Sequence, residues 1–333
     1  MKTDSPFCTD HKLIWDSVPE QWKIIFKKNL IFQSEMITEQ MSQSKFAARY
    51  YDMETYWKVF FPHCNLDLTL TTEDYSQLLL LKKLKCGGTK IDDLELLPRL
   101  GLKNLEYLDC NHTEINNIEA LYNFNALKTL EIEYTNVADL SPLRACRNMT
   151  QLYISSTRVS EINTLSHLPN LTNLDLNNTA VNDIGSLAGL QQLETLVING
   201  SIGIQDISPL STLKKLVKLD ISRTGVDSIE NLRGNNNLQI LLAGDLDINS
   251  IDAVREMPGL ESLYINNSRR TIDLACLKEV KNLKALYIGG TEVINPEVIL
   301  DIRSLVILFH SNLPQDLCDK LITVNPTCTI TKH

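Results

Sequence analysis

The 333-residue sequence lacks several features that would place it in a membrane, metal-binding or fibrous class. No apolar run approaches the ~20 residues that a helix needs to span a bilayer. The eight cysteines contain no C-x-x-C pair, and no histidine pair has the spacing of a metal site. Only 13 glycines and 11 prolines are present, which excludes a collagen-like chain. Because residues 1–6 carry no apolar signal core, we expect a cytoplasmic protein.

Basic residues are outnumbered: 32 Lys and Arg stand against 41 Asp and Glu, and the formal net charge is −9. A uniformly acidic chain repels phosphate backbones and anionic lipid, so we expect neither a nucleic-acid nor a membrane partner. The G-x-S-x-G, G-x-G-x-x-G and Walker motifs of common enzymes are absent. We therefore expect no catalytic residue, no cofactor and no metal, and a protein that is not an enzyme.

What the sequence does contain is a repeat of 22 to 24 residues. The segment from Leu105 to Ile115 places apolar residues at its first, fourth and sixth positions, then Thr113, and this pattern recurs along the chain. The first apolar residue of each copy lies at positions 81, 105, 127, 149, 171, 193, 216, 238, 260, 283 and 305. The last two apolar residues of the L-x-x-L-x-L segment lie two apart, which is the period of a β-strand. A single copy cannot bury its apolar residues, so the copies are predicted to stack.

This pattern resembles the 22-residue repeats of leucine-rich repeat proteins, including bacterial internalins and regulatory subunits of protein phosphatases. The resemblance covers residues 81 to about 312, and the segments 139–143 and 206–210 match the internalin repeat nearly letter for letter. It implies an α/β solenoid: a right-handed superhelix with a parallel β-sheet on its concave face. The chain departs from such repeats where Thr or Ser replaces the usual Asn, and it shows no secretion signal or cell-wall sorting motif. We therefore do not expect the surface-adhesin role of internalins to carry over.

Polar residues at fixed repeat positions have predicted structural roles. The Thr and Ser column is expected to point inward and to satisfy backbone groups of the turn. Ser141 and Ser208, each followed by Pro, are expected to act as N-caps of short helical turns. One repeat has Leu246 in the hydroxyl column, and the last has His310 at an inward strand position. We interpret His310 as a buried neutral imidazole bonded to backbone, with a functional histidine as the alternative.

An open stack of repeats has two exposed edges, and the sequence predicts a cap at each. Residues 1–80 form a predicted helical N-terminal cap, residues 81–312 about ten to eleven repeats, and residues 313–333 a C-terminal cap. The first cap helix is expected to follow Pro19 and the second to cover Ser44–Phe60, with a short strand at 66–70 and a short helix over Glu73–Leu80. The predicted apolar face of the first helix contains Trp22, Ile25, Phe26, Leu30 and Ile31. A separate binding module is the alternative for this region.

The C-terminal cap is predicted to consist of a helix and a strand. Leu317, Leu321 and Ile322 have helical spacing, and residues 325–330 resemble the closing strand common in such arrays.

The outward residue of each strand is free of core packing and can report on function. In the last repeats these residues form a contiguous apolar and aromatic patch, which soluble proteins usually reserve for a partner. The predicted partner-binding residues are Tyr153, Asp175, Asp220, Ile240, Leu242, Tyr264, Tyr287, Ile307 and Phe309. Cover by the C-terminal segment or by a homodimer, or no role at all, are the alternatives. The acidic residues of the same column (Asp109, Glu131, Asp175, Asp220) either steer a basic partner or form a solvated face.

The sequence thus favours a non-enzymatic protein–protein interaction scaffold or regulatory subunit that binds an unidentified protein on the concave sheet. An exported virulence effector or adhesin of the internalin type is the second hypothesis, and an enzyme is the third. Fold alone does not decide among them.

Overall fold

The computed structural model describes residues 15–35 and 72–332. The chain divides into two compact units, Met1–Arg158 and Val159–His333. The predicted helix over Ser44–Phe60 and the predicted strand at 66–70 lie outside the described residues. The division into a cap, a repeat array and a second cap stays a prediction. No helix among the described residues combines the length and apolar character that crossing a membrane requires.

In the first unit, short helices and turns alternate with three-residue strands. The strands pair in parallel and in chain order, with their central leucines in register. The elements are α1 (Glu20–Glu35), α2 (Thr72–Leu79), β1 (Lys83–Lys85), α3 (Leu96–Arg99), β2 (Tyr107–Asp109), β3 (Thr129–Glu131) and β4 (Gln151–Tyr153), with 3-10 turns at Glu119–Leu121 and Ser141–Ala145. The predicted helix over Glu73–Leu80 corresponds to α2.

The second unit continues the same alternation of a strand and a 3-10 turn. Its strands are β5 (Asn173–Asp175), β6 (Thr195–Val197), β7 (Lys218–Asp220), β8 (Ile240–Leu242), β9 (Ser262–Tyr264), β10 (Ile272–Asp273), β11 (Ala285–Tyr287), β12 (Val293–Ile294), β13 (Ile307–His310) and β14 (Thr329–Lys332), and helix α4 covers Gln315–Val324. The 3-10 turns are Asn163–His167, Gly185–Gly189, Ser208–Thr212, Glu230–Leu232, Asp252–Glu256, Ala275–Glu279 and Pro296–Asp301. The main sheet of this unit is parallel, and β10 and β12 form a separate pair. The chain is therefore an α/β solenoid, as the repeat predicts.

The repeated apolar residues form the core between the strands and the return limbs. In the repeat that starts at Leu171, each apolar side chain of the template is at most 1% exposed: Leu171, Leu174, Leu176, Val181, Ile184, Leu187 and Leu190. Backbone bonds join this repeat to the next, as when Leu176 N–H donates to Val197 O at 2.8 Å. Because both the burial and the bonds need the neighbouring repeat, an isolated repeat has little to stabilise it.

The hydroxyl column behaves as predicted. Six threonines donate from Oγ1 to the carbonyl oxygen three residues earlier at 2.6–2.8 Å: Thr89, Thr113, Thr135, Thr157, Thr179 and Thr224. Ser201 and Thr291 instead donate to carbonyls of the preceding repeat, at 3.0 and 2.6 Å. Leu246, which interrupts the column, is 1% exposed and extends the apolar core.

The predicted N-caps Ser141 and Ser208 are wrong, because an aspartate two residues earlier performs that role. Asp139 Oδ1 accepts the N–H of Ser141 at 2.8 Å, and Asp206 Oδ1 accepts the N–H of Ser208 at 2.7 Å. Each serine hydroxyl donates to the second carboxylate oxygen. The hydroxyl of Ser141 and then its N–H hold the pKa of Asp139 below its ordinary value. The charged acceptor is the stronger partner for a backbone donor.

Helix α1 covers the free edge of β1. Trp22, Ile25 and Phe26 are buried as predicted, whereas Leu30 is half-buried and the buried Asn29 lies next to it. The Asn29 amide pairs with both backbone groups of Lys85: Oδ1 accepts its N–H at 2.9 Å, and Nδ2 donates to its carbonyl at 3.0 Å. One side-chain amide therefore replaces the peptide group that another strand would supply at this edge.

The C-terminal cap contains the predicted helix, α4, and a closing strand, β14, which covers Thr329–Lys332 where residues 325–330 were predicted. Leu317, Leu321 and Ile322 all lie on α4, as their spacing predicts. Leu317 and Leu321 are buried, and Ile322 is 49% exposed. His310 is 3% exposed, and its Nδ1 accepts the N–H of Leu313 at 3.2 Å. The predicted bond from the buried imidazole to backbone is thus present. Burial and then the charge of Lys332 on β14 lower the pKa of His310.

We expect Asn29→Leu to lower the free energy of unfolding by about 2–3 kcal/mol, because it removes the hydrogen-bond partner of the N–H and the carbonyl of Lys85 at the edge of the sheet. Urea denaturation measures the loss, and faster amide exchange at Lys85 locates it. The exposed Asn236→Leu is the matched control and should change stability by less than ~0.5 kcal/mol. Equal stability of the Asn29 and Asn236 variants would contradict this role.

His310 should make the fold sensitive to mild acid. The unfolded imidazole, with a pKa of about 6.5, binds a proton more readily than the folded one. Its contribution is therefore present above that pH and is lost as the pH falls through and below it. We expect His310→Asn, which keeps an acceptor for Leu313, to show a smaller decline in unfolding free energy between pH 7.5 and pH 5.5. Identical declines in the two proteins would show that His310 does not titrate on unfolding.

Candidate functional site

The open face of the sheet in the second unit presents two side chains from each strand. The central leucine of each strand is buried, and the residues on either side face away from the core. The outward residues of β5 to β7 are Asn173, Asp175, Thr195, Val197, Lys218 and Asp220. Those of β8, β9, β11 and β13 are Ile240, Leu242, Ser262, Tyr264, Ala285, Tyr287, Ile307 and Phe309. Neighbouring strands place these residues side by side in register.

Three aromatic residues on adjacent strands form what we call the aromatic ladder: Tyr264, Tyr287 and Phe309. The rings of Tyr264 and Tyr287 are parallel, with centroids 4.0 Å apart and an interplanar angle of 6°. Phe309 continues the row at 5.9 Å from Tyr287 with a tilt of 32°. All three side chains are half-buried and none points into the core. Burial and then the neighbouring Tyr287 hydroxyl raise the pKa of Tyr264 to about 12, so the Tyr264 hydroxyl is neutral at pH 7.

Gly289 allows Phe309 to lie against the sheet. A β-carbon at this position would stand 2.6 Å from Cε1 of Phe309, well inside van der Waals contact. Gly290, which follows, has a φ of +71° and makes the turn out of the strand. Gly290 therefore makes the turn, and Gly289 leaves the space in which the Phe309 ring packs against the sheet.

The carboxylates of the outward column have local structural partners. Asp175 Oδ1 accepts the N–H of Asn177 at 2.8 Å, as Asp109 Oδ1 does for Asn111 at 3.0 Å. Asp220 accepts the N–H of Ser222 at 3.0 Å and Nδ2 of Asn199 at 3.3 Å.

Asp220 is also only 8% exposed, so it fits neither of the two alternatives for the acidic column, a steering charge or a solvated face. The aspartates of the column stabilise the turns that leave the strands.

In the first unit the outward acids are partly desolvated. Asn111 Nδ2 donates to Glu131 Oε2 at 3.0 Å, and burial followed by the charge of Asp109 raises the pKa of Glu131. Burial also raises the pKa of Asp109. Tyr153, the last outward residue of this unit, is half-buried.

The C-terminal segment extends the sheet and does not cover the aromatic ladder. Strand β14 pairs in parallel with β13, so that Thr329 lies opposite Ile307 and Thr331 opposite Phe309. Of the alternatives for the apolar patch, cover by residues 313–332 is therefore wrong.

Cys318 and His310 form a cysteine–histidine pair that resembles a catalytic dyad in its composition, and the sequence did not predict this pair. Cys318 Sγ lies 3.5 Å from His310 Nε2, beside a cavity of about 510 Å³ that His310, Thr291 and Glu292 help to line. Since Nδ1 accepts a backbone N–H, the neutral ring carries its proton on Nε2 and offers the thiol no base. Burial raises the pKa of Cys318, which further disfavours a thiolate. Within residues 15–35 and 72–332, no three His, Cys, Asp or Glu side chains are grouped to hold a metal ion.

Comparison with known proteins places the repeats among leucine-rich repeats. A family model of two leucine-rich repeats matches residues 169–212, and no curated protein matches the chain significantly in sequence. Among solved structures, the internalin InlF of Listeria monocytogenes is 25% identical over 78% of this chain and 75% of its own, with a TM-score of 0.68.

More distant similarities show the fold alone. The functional domain of InlJ from the same bacterium is 20% identical over 74% of this chain and 60% of its own, with a TM-score of 0.56. A leucine-rich repeat protein of Leptospira interrogans is 17% identical over 79% of this chain and 86% of its own, with a TM-score of 0.55. Residues 169–212 match the leucine-rich repeat family model, and the repeat array of this chain is similar to that of an internalin.

Proposed function

We propose that the chain is a non-enzymatic interaction protein, a scaffold or regulatory subunit, that binds a protein partner on the open face of its sheet. The observation that carries this proposal is the run of apolar outward residues on adjacent strands: Leu242, Tyr264, Tyr287 and Phe309. None of these side chains is needed to fill the core, and together they leave an apolar surface in contact with water.

The aromatic ladder has the physical character of a binding hot spot. Stacking already restricts the rings of Tyr264 and Tyr287, so little side-chain entropy remains to be lost on association. Tyrosine combines a large apolar area with a hydroxyl that bonds to a partner. Ile240 and Ile307 flank the ladder and widen the apolar area, and Ile307 is 37% exposed.

Three further residues that the sequence predicts to bind the partner, Tyr153, Asp175 and Asp220, are also part of this proposal. Asp175 lies on β5, beyond the apolar strands, and Tyr153 is an outward aromatic residue of the first unit. We propose that they contribute specificity, and that Asp220 acts indirectly by holding its turn.

A cytoplasmic location belongs to the same proposal. The described cysteines are all free and buried: Cys86, Cys110, Cys146, Cys276, Cys318 and Cys328. Free thiols are typical of reducing compartments, and the net charge of −9 disfavours a nucleic-acid partner.

The second candidate is an exported effector or adhesin, and it is favoured by the similarity to an internalin at 25% identity. Fractionation of the native cells and their medium distinguishes the two. Protein confined to the cytoplasmic fraction supports the regulatory or scaffold proposal, and protein outside the cell supports export.

The binding proposal predicts that the triple variant Tyr264→Ala/Tyr287→Ala/Phe309→Ala loses its partner, because several kcal/mol of hot-spot contacts disappear. Affinity purification from the native cell, quantified against wild type, measures the loss. A matched control removes three exposed apolar residues of the turns, Tyr122, Tyr134 and Ile202, which are 61%, 56% and 77% exposed. Recovery of the same partners at the same yield by both triple variants would place the interface elsewhere.

A further inference from the structure

The apolar part of the open face contains a shallow trough, which we define by Ile240, Ser262, Ala285 and Ile307. These are the first residues of four adjacent strands, and they lie in one register row. The two central residues are small, and Ala285 is 7% exposed, whereas isoleucines stand at both ends. With neighbouring strands ~4.8 Å apart, the isoleucines are separated by about 14 Å, which leaves room for one bulky side chain between them.

Side chains also line the two long sides of the trough. On one side the stacked rings of Tyr264 and Tyr287 lie two residues further along the same strands as Ser262 and Ala285. On the other, Glu261 and Lys284 precede the strands and form an ion pair of 2.8 Å. Because the two charges of this pair neutralise each other, the side chain of a partner that enters the trough is expected to be uncharged.

Lys218 is the cation beside the trough that lies outside the Glu261–Lys284 ion pair. Among the outward residues of β5 to β9, β11 and β13, Lys218 is the only basic one, and it lies on the strand next to Ile240. Its ammonium forms no ion pair with any residue that the structure describes. Asp220, on the same strand, already accepts two hydrogen bonds from Ser222 and Asn199.

From this juxtaposition we propose the chemistry of the partner, and the inference rests on the function proposed above. The partner presents an extended segment that crosses the strands, with a bulky apolar side chain over Ser262 and Ala285 and a carboxylate at Lys218. Lys218 and Ser262 are two strands apart, or about 10 Å, and an extended chain covers this distance in about three residues. The recognised motif is an Asp or Glu three positions from a Leu, Met, Phe or Trp.

Selection of peptides tests this motif without knowledge of the natural partner. A random 12-residue display library is selected on wild-type protein, and the enriched peptides are synthesised and titrated by calorimetry. We expect the enriched peptides to share the acid and apolar pair at this spacing. Ser262→Leu, which fills the trough, should weaken their binding about tenfold or more. Circular dichroism and thermal unfolding confirm that each variant is folded.

Charge reversal provides the second arm. Lys218→Glu should weaken the acidic peptides and, in a new selection, enrich Lys or Arg at the position of the acid. Lys215→Glu changes the net charge equally but lies on an exposed turn, bonded to Gln192 at 2.5 Å, and should leave binding unchanged.

The outcomes separate this inference from the proposed function. If binding is lost in the ladder triple variant but is insensitive to Ser262→Leu and Lys218→Glu, the proposed function stands and the motif is wrong. If neither the ladder nor the trough variants affect binding, both fail. The absence of any enriched motif overturns the inference, as does self-association of the wild type that Ser262→Leu abolishes, since the occupant is then a second copy.

Discussion

Burial of one repeat by the next is the constraint on which the rest of the molecule depends. Within each unit, the central leucines of the repeat strands and the apolar residues of the return limbs are almost fully buried, and backbone bonds join neighbouring strands. Neither contribution exists for a repeat alone, so stability grows with stacking and not with any single compact centre. The same constraint keeps the spacing within the strand segment constant from repeat to repeat, since a residue inserted into the strand would move every following side chain to the opposite face. Insertions are accordingly found in the turns.

The repeat pattern stops before β1 in the first unit and after β13 in the second, and the two ends are closed differently. At β1 the edge is covered by a helix, and the Asn29 amide bonds to both backbone groups of Lys85. At the other end the repeat pattern gives way to α4 and a final strand, β14, and Asn325 Nδ2 donates to Leu305 O at 2.6 Å. In each case an asparagine amide, which has the same donor and acceptor as a peptide group, satisfies backbone where the repeat stops. Edge strands without such cover would be open to pairing with other chains.

Features that depend on local periodicity were predictable from the sequence, and features that depend on tertiary contact were not. The bond from Thr179 to Leu176 follows from a fixed spacing of three residues within one turn. Asn29 and Lys85 are 56 residues apart, and nothing in the helical pattern of α1 marks that asparagine as different from an exposed one. The prediction for the Ser-Pro turns failed for another reason. Both Asp139 and Ser141 are good cap residues, and only the geometry shows which side chain accepts the backbone N–H. For the candidate site, the row of Tyr264, Tyr287 and Phe309 could be read from aligned repeats, because register follows from period. The burial of Asp220 could not, because it depends on Asn199 of the preceding repeat.

The open face shows how one scaffold can carry different surfaces. Core columns contain apolar side chains, mainly Leu, Ile and Val, whereas the outward positions next to them are not restricted in this way. The outward residues of β5 to β7 are polar except for Val197, and those of β8, β9, β11 and β13 are apolar or aromatic except for Ser262. A row of apolar side chains in contact with water costs an isolated protein free energy in proportion to the apolar area that is exposed. Stacking of Tyr264 on Tyr287 reduces that area and fixes the rings before any partner arrives. The arrangement that limits the exposed area in the free protein is therefore also the one that favours binding, because a rigid surface loses less entropy on association than a mobile one. A folding requirement alone gives no reason to place Tyr, Tyr and Phe in succession at positions that the core does not need.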